Sequence, residues 1–461
     1  MRKALKLFAI LMIILICICT VSSCEDSGDD KDKGNDTPSD LTKPDEVGTP
    51  GLEFTELEDG TYAVSIGVAT LIENIVIPSK HNGKAVTEIA RSGFQDNEKL
   101  KSITIPDSIK YIRFAAFAGC TGLESITLPE SVTVMENAIF QNCTSLKSAN
   151  LPESIEELGT SIFLDCSSLK SISIPSSLKR IDYRTFENCT SLEDVTFSKG
   201  LEEIGEGAFR GCTSLKSVSL PEGLKVIESR AFIDCTGLTE VSLPDGLTTL
   251  GYEVFSCCTS LESISLPDSV KDIGGSTFSV CMNLTSVKLS SGLTMINESM
   301  FSGCYALKTI TIPEGITTIR ADAFAYCRAL ESVVLPDGLK EIGRYAFLDC
   351  LSLKSIDFPD SIRTIDDYAF GSCISLTNVT IPDNVFVIHE SVFSYCLNLK
   401  SITLPLSITT IASNAFEECY ELEVIYYKGT MKKWETIQLE DGWRANTSLK
   451  TIVCSNGTIT Y

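Results

Sequence analysis

The sequence predicts a mainly β solenoid: 23-residue coils stacked on a parallel sheet, with an N-terminal hairpin cap and a C-terminal cap. Three observations carry that expectation. Phenylalanine returns every 23 residues from Phe94 to Phe416 without a slip. A cysteine stands three residues behind each ring from Cys120 to Cys419, with Asn97 in that place in the first coil. Both ends of the chain leave the pattern, as the ends of a stack must if their interiors are to be covered. A fixed short period of this kind is the signature of a repeat architecture.

The coil that begins at Leu330 serves for the rest. Val333 and Leu335 alternate with polar-side positions, which predicts a short strand with one buried face. Pro336 lacks an N–H and stops the ladder, and Asp337-Gly338 supplies turn chemistry. Leu339 and Ile342 turn back inward, and Ala346-Phe347 with Cys350 closes the coil. No long helix fits into so short a coil, so the return path is a short strand, an irregular stretch or a 3₁₀ turn. Segments such as Ser102–Ile105, Ser125–Leu128 and Ser401–Leu404 build the main sheet. At roughly 4.8 Å per strand, the Phe-bearing coils make a body about 70 Å long.

Residues 51–77 form the N-terminal cap, 78–425 the solenoid and 426–461 the C-terminal cap. In the first cap Leu52–Leu57 and Thr61–Ile66 flank Glu58-Asp59-Gly60, a hairpin pattern, and Ser79–Ala85 is a small insertion in the first coil. The last segment holds Trp434 and Trp443 and is expected to fold over the final coil before a strand near Thr451–Cys454.

Residues 1–23 read as a secretory leader: Arg2, Lys3 and Lys6 precede an apolar run from Leu7 to Cys19, too short to count confidently as a spanning helix. The run ends in Val21-Ser22-Ser23-Cys24, which resembles the bacterial lipobox, so Cys24 is the expected lipidation site; a plain signal peptide or an uncleaved anchor is the competing possibility. Residues 24–50 are acidic and Pro/Thr-rich, with too few apolar side chains to bury a core, and are expected to be a disordered tether. The acidic patch from Glu25 to Asp32 resembles the signal that sends lipoproteins of Bacteroidetes-type bacteria to the outer face of the outer membrane, so the expected place is that membrane, lipid-anchored and surface-exposed.

Removing the leader takes three of 38 basic residues and none of 61 acidic ones, leaving a mature chain near −26. Such a charge opposes phosphate backbones and anionic lipid. Nucleic acid is therefore not an expected partner, and membrane contact is expected through lipid alone.

Nineteen cysteines in an exported chain would ordinarily suggest disulfides. Fourteen of them share one column, however, so each faces its copies one strand spacing away, beyond the Cβ separation a disulfide prefers. A ladder of buried free thiols is the expectation, with some strained pairing as the alternative. Zinc ligation is disfavoured because beyond the leader only Cys257-Cys258 are close neighbours in sequence. His81 and His389 lie too far apart along the axis to share a site, and no nucleophile elbow, zinc helix or phosphate loop appears. No catalytic role, cofactor or metal is expected.

Two surfaces could bind. The outward positions of the main sheet are hydroxyl-rich: Ser102/Thr104, Ser125/Thr127, Ser217/Ser219, Thr309/Thr311. They suit a crowded parallel sheet or a shallow platform. The position after the column cysteine changes character, from Thr or Ser in the early coils to Met282, Tyr305, Arg328, Leu351, Ile374, Leu397 and Tyr420 later; Tyr326 and Tyr395 lie one residue before their cysteines. If exposed, this stripe of about 30 Å has the composition of interface anchors. If its side chains fold over neighbouring turns, it is a satellite core.

The repeat, the opening Leu52-Glu53-Phe54 and Gly60-Thr61-Tyr62 segments, and the closing Tyr426-Tyr427-Lys428-Gly429-Thr430 with Trp434 resemble the BspA-like leucine-rich-repeat family of bacterial surface proteins, from about residue 51 to the end. Ala149, Ser198 and Ser290 are local departures from the repeat. The resemblance implies a leucine-rich-repeat solenoid and adhesion to host extracellular-matrix proteins or other cell-surface proteins. The alternative expectation is a glycan-capturing or structural component of a surface lipoprotein assembly.

Overall fold

The computed structural model describes residues 48–461, so the leader, the Cys24 lipidation position and the tether up to residue 47 lie outside the described residues. All but one of the coils pass through two short strands. The main ladder runs through segments such as Ser102–Thr104, Ser125–Ile126, Ser171–Ser173 and Ser401–Leu404. Pairing is parallel, with Ser171 opposite Asp194 and Ser401 opposite Val424. Two-residue strands such as Tyr111–Ile112, Val134–Met135 and Thr410–Ile411 make the return ladder, also parallel. The return path is thus a short strand, one of the three routes that the coil length allows. Strand pairing in the main ladder is interrupted into groups rather than continuous, and residues 355–358 take no strand.

Proline sets the corner between the ladders. The carbonyls of Pro106, Pro129 and Pro336 accept the N–H of Ile109, Val132 and Leu339, each at 3.1 Å, closing a four-residue turn where the ring has no N–H to offer the ladder. Where Ser290 replaces proline, its buried hydroxyl donates to the Val270 carbonyl at 2.7 Å and accepts from the Gly292 N–H at 3.0 Å. At a second departure, Ala149, the neighbouring Asn150 amide bonds both the N–H (2.7 Å) and the carbonyl (2.9 Å) of Leu128. Side chains rebuild what the backbone pattern loses there.

The Ala-Phe corner stacks differently. The N–H groups of Ser92, Phe94 and Asp96 donate to the carbonyls of Phe114, Ala116 and Ala118 in the next coil, at 2.9, 2.8 and 2.7 Å. The backbone achieves this with left-handed residues two places before and two places after each Phe, for example Ser161 (φ 56°) and Asp165 (φ 61°) around Phe163. Around Phe209 both places are glycine, Gly207 and Gly211, which carry this conformation without a Cβ penalty.

The rings between these residues are fully buried and form one file. Consecutive centroids stand between 5.2 Å (Phe186–Phe209) and 6.1 Å (Phe393–Phe416) apart. Planes stay within 18° of parallel along the file. Near-parallel planes at that separation are displaced sideways, the favourable arrangement for aromatic quadrupoles. Leu, Ile and Val from both ladders fill the space around the file.

Both ends are covered. Glu53–Glu56 pairs antiparallel with Tyr62–Ser65, which then starts the return ladder by pairing in parallel with Lys84–Ile89. The insertion in the first coil is a second small hairpin, Lys80–His81 on Lys84–Ile89, around Asn82-Gly83 with both φ positive (49° and 77°). At the other end a one-turn helix, Met431–Trp434, follows Val424–Tyr427 with Thr430 as its N-cap. The carbonyls of Trp443 and Ala445 accept the N–H groups of Phe416 and Glu418, both at 2.9 Å. Thr451–Cys454 forms as expected, but a further strand, Gly457–Thr460, turns back antiparallel and ends the ladder.

Candidate functional site

The cysteine column is interior structure. The described cysteines are free, and those of the column are buried. Each column thiol donates to the carbonyl of the Phe in the preceding coil, from 3.0 Å for Cys120 to Phe94 to 3.3 Å for Cys350 to Phe324. The Phe117 carbonyl therefore accepts twice, from the Cys120 N–H at 3.1 Å and from Cys143 Sγ at 3.1 Å, which uses both its lone pairs. Cysteine is the side chain that packs as a small hydrophobe while offering a long, weak donor. Burial pushes the Cys120 and Cys235 thiols up to about 12. A thiol held protonated in the core is not a nucleophile. In the first coil Asn97 Oδ1 accepts from the Lys99 N–H at 3.3 Å instead.

The hydroxyl face is exposed as expected, at Ser102, Thr104, Ser217, Ser219, Thr309 and Thr311 among others. In the early coils the position after the cysteine also bonds along the axis, Thr190 Oγ1 to the Ser167 carbonyl and Thr213 Oγ1 to the Thr190 carbonyl, both at 3.3 Å.

The later half of that row is the candidate site. Met282, Tyr305, Tyr326, Arg328, Tyr395 and Tyr420 are exposed, while Leu351, Ile374 and Leu397 are half-buried among them. The Arg328 guanidinium lies over the Tyr305 ring at 5.4 Å, a cation–π contact between consecutive coils. The Tyr420 hydroxyl donates to the Glu418 carboxylate. Backbone geometry adds a signal. Two places after the Phe, the early coils carry Asp96, Gly119, Asn142, Asp165, Asn188, Gly211 and Asp234, the residue types that tolerate positive φ. In the later coils the same place holds Val280 (φ 60°), Tyr326 (φ 63°) and Tyr395 (φ 60°), which do not, interspersed with Gly303, Asp349 and Ser372. Three bulky side chains of this edge are thus held in a costly conformation.

A second surface feature has no counterpart among the sequence expectations. Tyr252, 67% exposed, stands in a cleft of about 580 Å³ on the return side, with Glu206, Glu228 and Asp272 on its walls. Gly251 and Gly274 open it, two consecutive glycines in a column that elsewhere mixes single glycines such as Gly205 with Arg113, Glu136 or Asp182. A Cβ on Gly274 would stand 2.4 Å from the Tyr252 nitrogen, so only glycine fits. The glycine pair is visible in the sequence; the cleft depends on the depth of the side chains beside it.

Residues 87–216, 202–331 and 317–441 match the BspA-type leucine-rich repeat region. The chain belongs to the BspA-type leucine-rich repeat family. Its similarity to solved structures agrees. A leucine-rich repeat protein from Bacteroides ovatus is 28% identical at a TM-score of 0.69, over 89% of this chain and 99% of that one. A leucine-rich cell surface protein from Faecalibacterium prausnitzii is 25% identical over 85% of this chain and 96% of that one, at a TM-score of 0.45. No curated protein matches the chain. The match to the BspA-type repeat spans both ladders and includes the stripe and the cleft, whereas the opening hairpin and the final two strands lie outside it.

Proposed function

We propose that this BspA-type chain is a non-catalytic, lipid-anchored recognition protein of a bacterial outer surface. It binds host extracellular-matrix proteins or other cell-surface proteins through the edge from Met282 to Tyr420. The row of exposed Met and Tyr side chains with half-buried aliphatics between them along that edge carries the proposal. Tyr and Arg anchors beside half-buried aliphatics are the composition of interface hot spots. An exposed apolar row on one side of an otherwise acidic chain is unusual unless something covers it.

Tyr305→Ala combined with Leu351→Ala is expected to weaken binding to the matrix or cell-surface protein by tenfold or more, about 1.4 kcal/mol. The melting temperature should shift by only a few degrees, because neither side chain belongs to the aromatic file. Unchanged affinity would rule this edge out. Anchoring has its own measurement: fatty-acid labelling of the exported chain is expected to vanish in Cys24→Ala, and labelling that persisted would contradict a lipid at that position.

The Tyr252 cleft favours a second reading, capture of a glycan by an aromatic platform beside carboxylate acceptors. Binding restricted to a glycan panel and lost in Tyr252→Ala would put that reading first.

A further inference from the structure

Outside the stripe and the cleft, one cluster stands apart chemically. The residue after each return strand forms a column along the axis, and where it is charged it usually has a permanent counter-ion. Arg113 is flanked by Glu88 and by Glu136, the latter at 3.1 Å. Asp182 and Glu228 share Arg180, each at 3.2 Å. Further along the column stand Asp366 and His389, one coil apart, with Asp367 adjacent. Among the described residues neither aspartate has a Lys or Arg within salt-bridge distance; their basic neighbour is the His389 imidazole. Arg344, in the preceding coil, is held away with its guanidinium 4.8 Å over the Tyr345 ring.

The structure assigns Asp366, Asp367 and His389 as a binding site for a divalent transition-metal ion such as Zn²⁺. Each offers one ligand atom, and the three atoms lie within 4.8 Å of one another. Metal–ligand bonds of about 2.0–2.2 Å place tetrahedral ligand atoms roughly 3.3–3.6 Å apart. His389 Nδ1 is 3.5 Å from Asp367 Oδ1 and 3.8 Å from Asp366 Oδ1, so small torsional adjustments close the set. Asp366 Oδ1 also accepts the Asp367 N–H at 2.9 Å, which holds that carboxylate in place as outer hydrogen bonds commonly do for metal ligands.

The flanks are clear: the column carries Gly343 before the pair and Ala412 after it, so no side chain larger than a methyl group stands over the site on its own column. All three ligands are half-buried, leaving a side open to water. One imidazole nitrogen with two carboxylates suits borderline ions; calcium prefers six to eight oxygens, which this place does not supply. Three protein ligands leave a coordination position for water or for a donor from outside the chain. The strongly acidic chain concentrates cations near the site.

The chain has just two histidines, which makes the test direct. Imidazole NMR signals of the full chain, with accessible thiols alkylated beforehand, are followed during titration with Zn²⁺. The signals that disappear in His389→Ala are expected to shift at one equivalent, while those of His81, stacked on Phe54 at 4.0 Å, stay in place. Asp366→Asn combined with Asp367→Asn keeps the imidazole and is expected to weaken the apparent affinity at least tenfold. No response of His389 at tenfold excess would overturn the assignment. An equal response in the double variant would also overturn it, since it would mean lone-imidazole binding.

Discussion

As pH rises above 9 the solenoid is expected to unfold in a steep transition driven by its own cysteines. Every thiol of the column, from Cys120 to Cys419, is pushed above the ordinary value of 9.0, with burial as the leading cause; Cys235 and Cys327 reach about 12. The thiol is neutral when protonated, and its folded value is the raised one. Its contribution is therefore intact below the unfolded value and is lost as pH climbs from there toward the folded value. Each pH unit in that window costs about 1.4 kcal/mol per thiol. The fourteen cysteines of the column share this direction, so the destabilisation accumulates along the whole stack as pH climbs. Circular dichroism followed alongside thiolate absorbance checks it. The two signals should change together, and at pH 8 the column should resist a thiol reagent until denaturant is added. Thiols that titrated through pH 9 in an intact fold would refute the burial argument.

Phe209→Ala should be the most damaging single substitution in the stack. Its ring meets Phe186 and Phe232, both at 5.2 Å, and Phe197 edge-on at 5.8 Å, three aromatic neighbours where most of the file has two. Removing it leaves a cavity walled by other coils, with an expected loss of about 3–5 kcal/mol. Coils couple to their nearest neighbours, so urea unfolding should also split into two transitions, one for each side of the gap. Phe386→Ala, on a ring 56% exposed, serves as the control and should stay within about 0.5 kcal/mol of the parent. A similar small change at Phe209 would show that the file is not the stabilising spine.

Much of this architecture was legible because the period is strict. Phe94 to Phe416 announce the file, the prolines mark the corner, and Leu52 to Ile66 read as a hairpin. The thiol-to-carbonyl bond was harder. Cysteine reads equally well as a plain hydrophobe, and the available hint was that Ala or Val never takes its place from Cys120 to Cys419. Asp96, Asn142 and Asp165 could have revealed the left-handed corner, since those types tolerate it. The final strand was signalled by Asn456-Gly457, a hairpin pair, just past the expected strand. The stripe from Met282 to Tyr420 was visible as composition, but its exposure was not, because it depends on how far neighbouring turns project. The Asp366–His389 pairing rests on a difference of 23 in residue number, which becomes proximity only when the coils stack.

The unvarying period has a genetic corollary. Every coil from Phe117 to Phe393 hands its neighbour the same hydrogen bonds at the Phe corner, the same ring and the same thiol. Duplicating or excising a whole number of coils in the gene therefore leaves each remaining junction chemically unchanged. The length of the stack becomes a quantity that unequal recombination can tune in steps of about 4.8 Å, with no core to redesign.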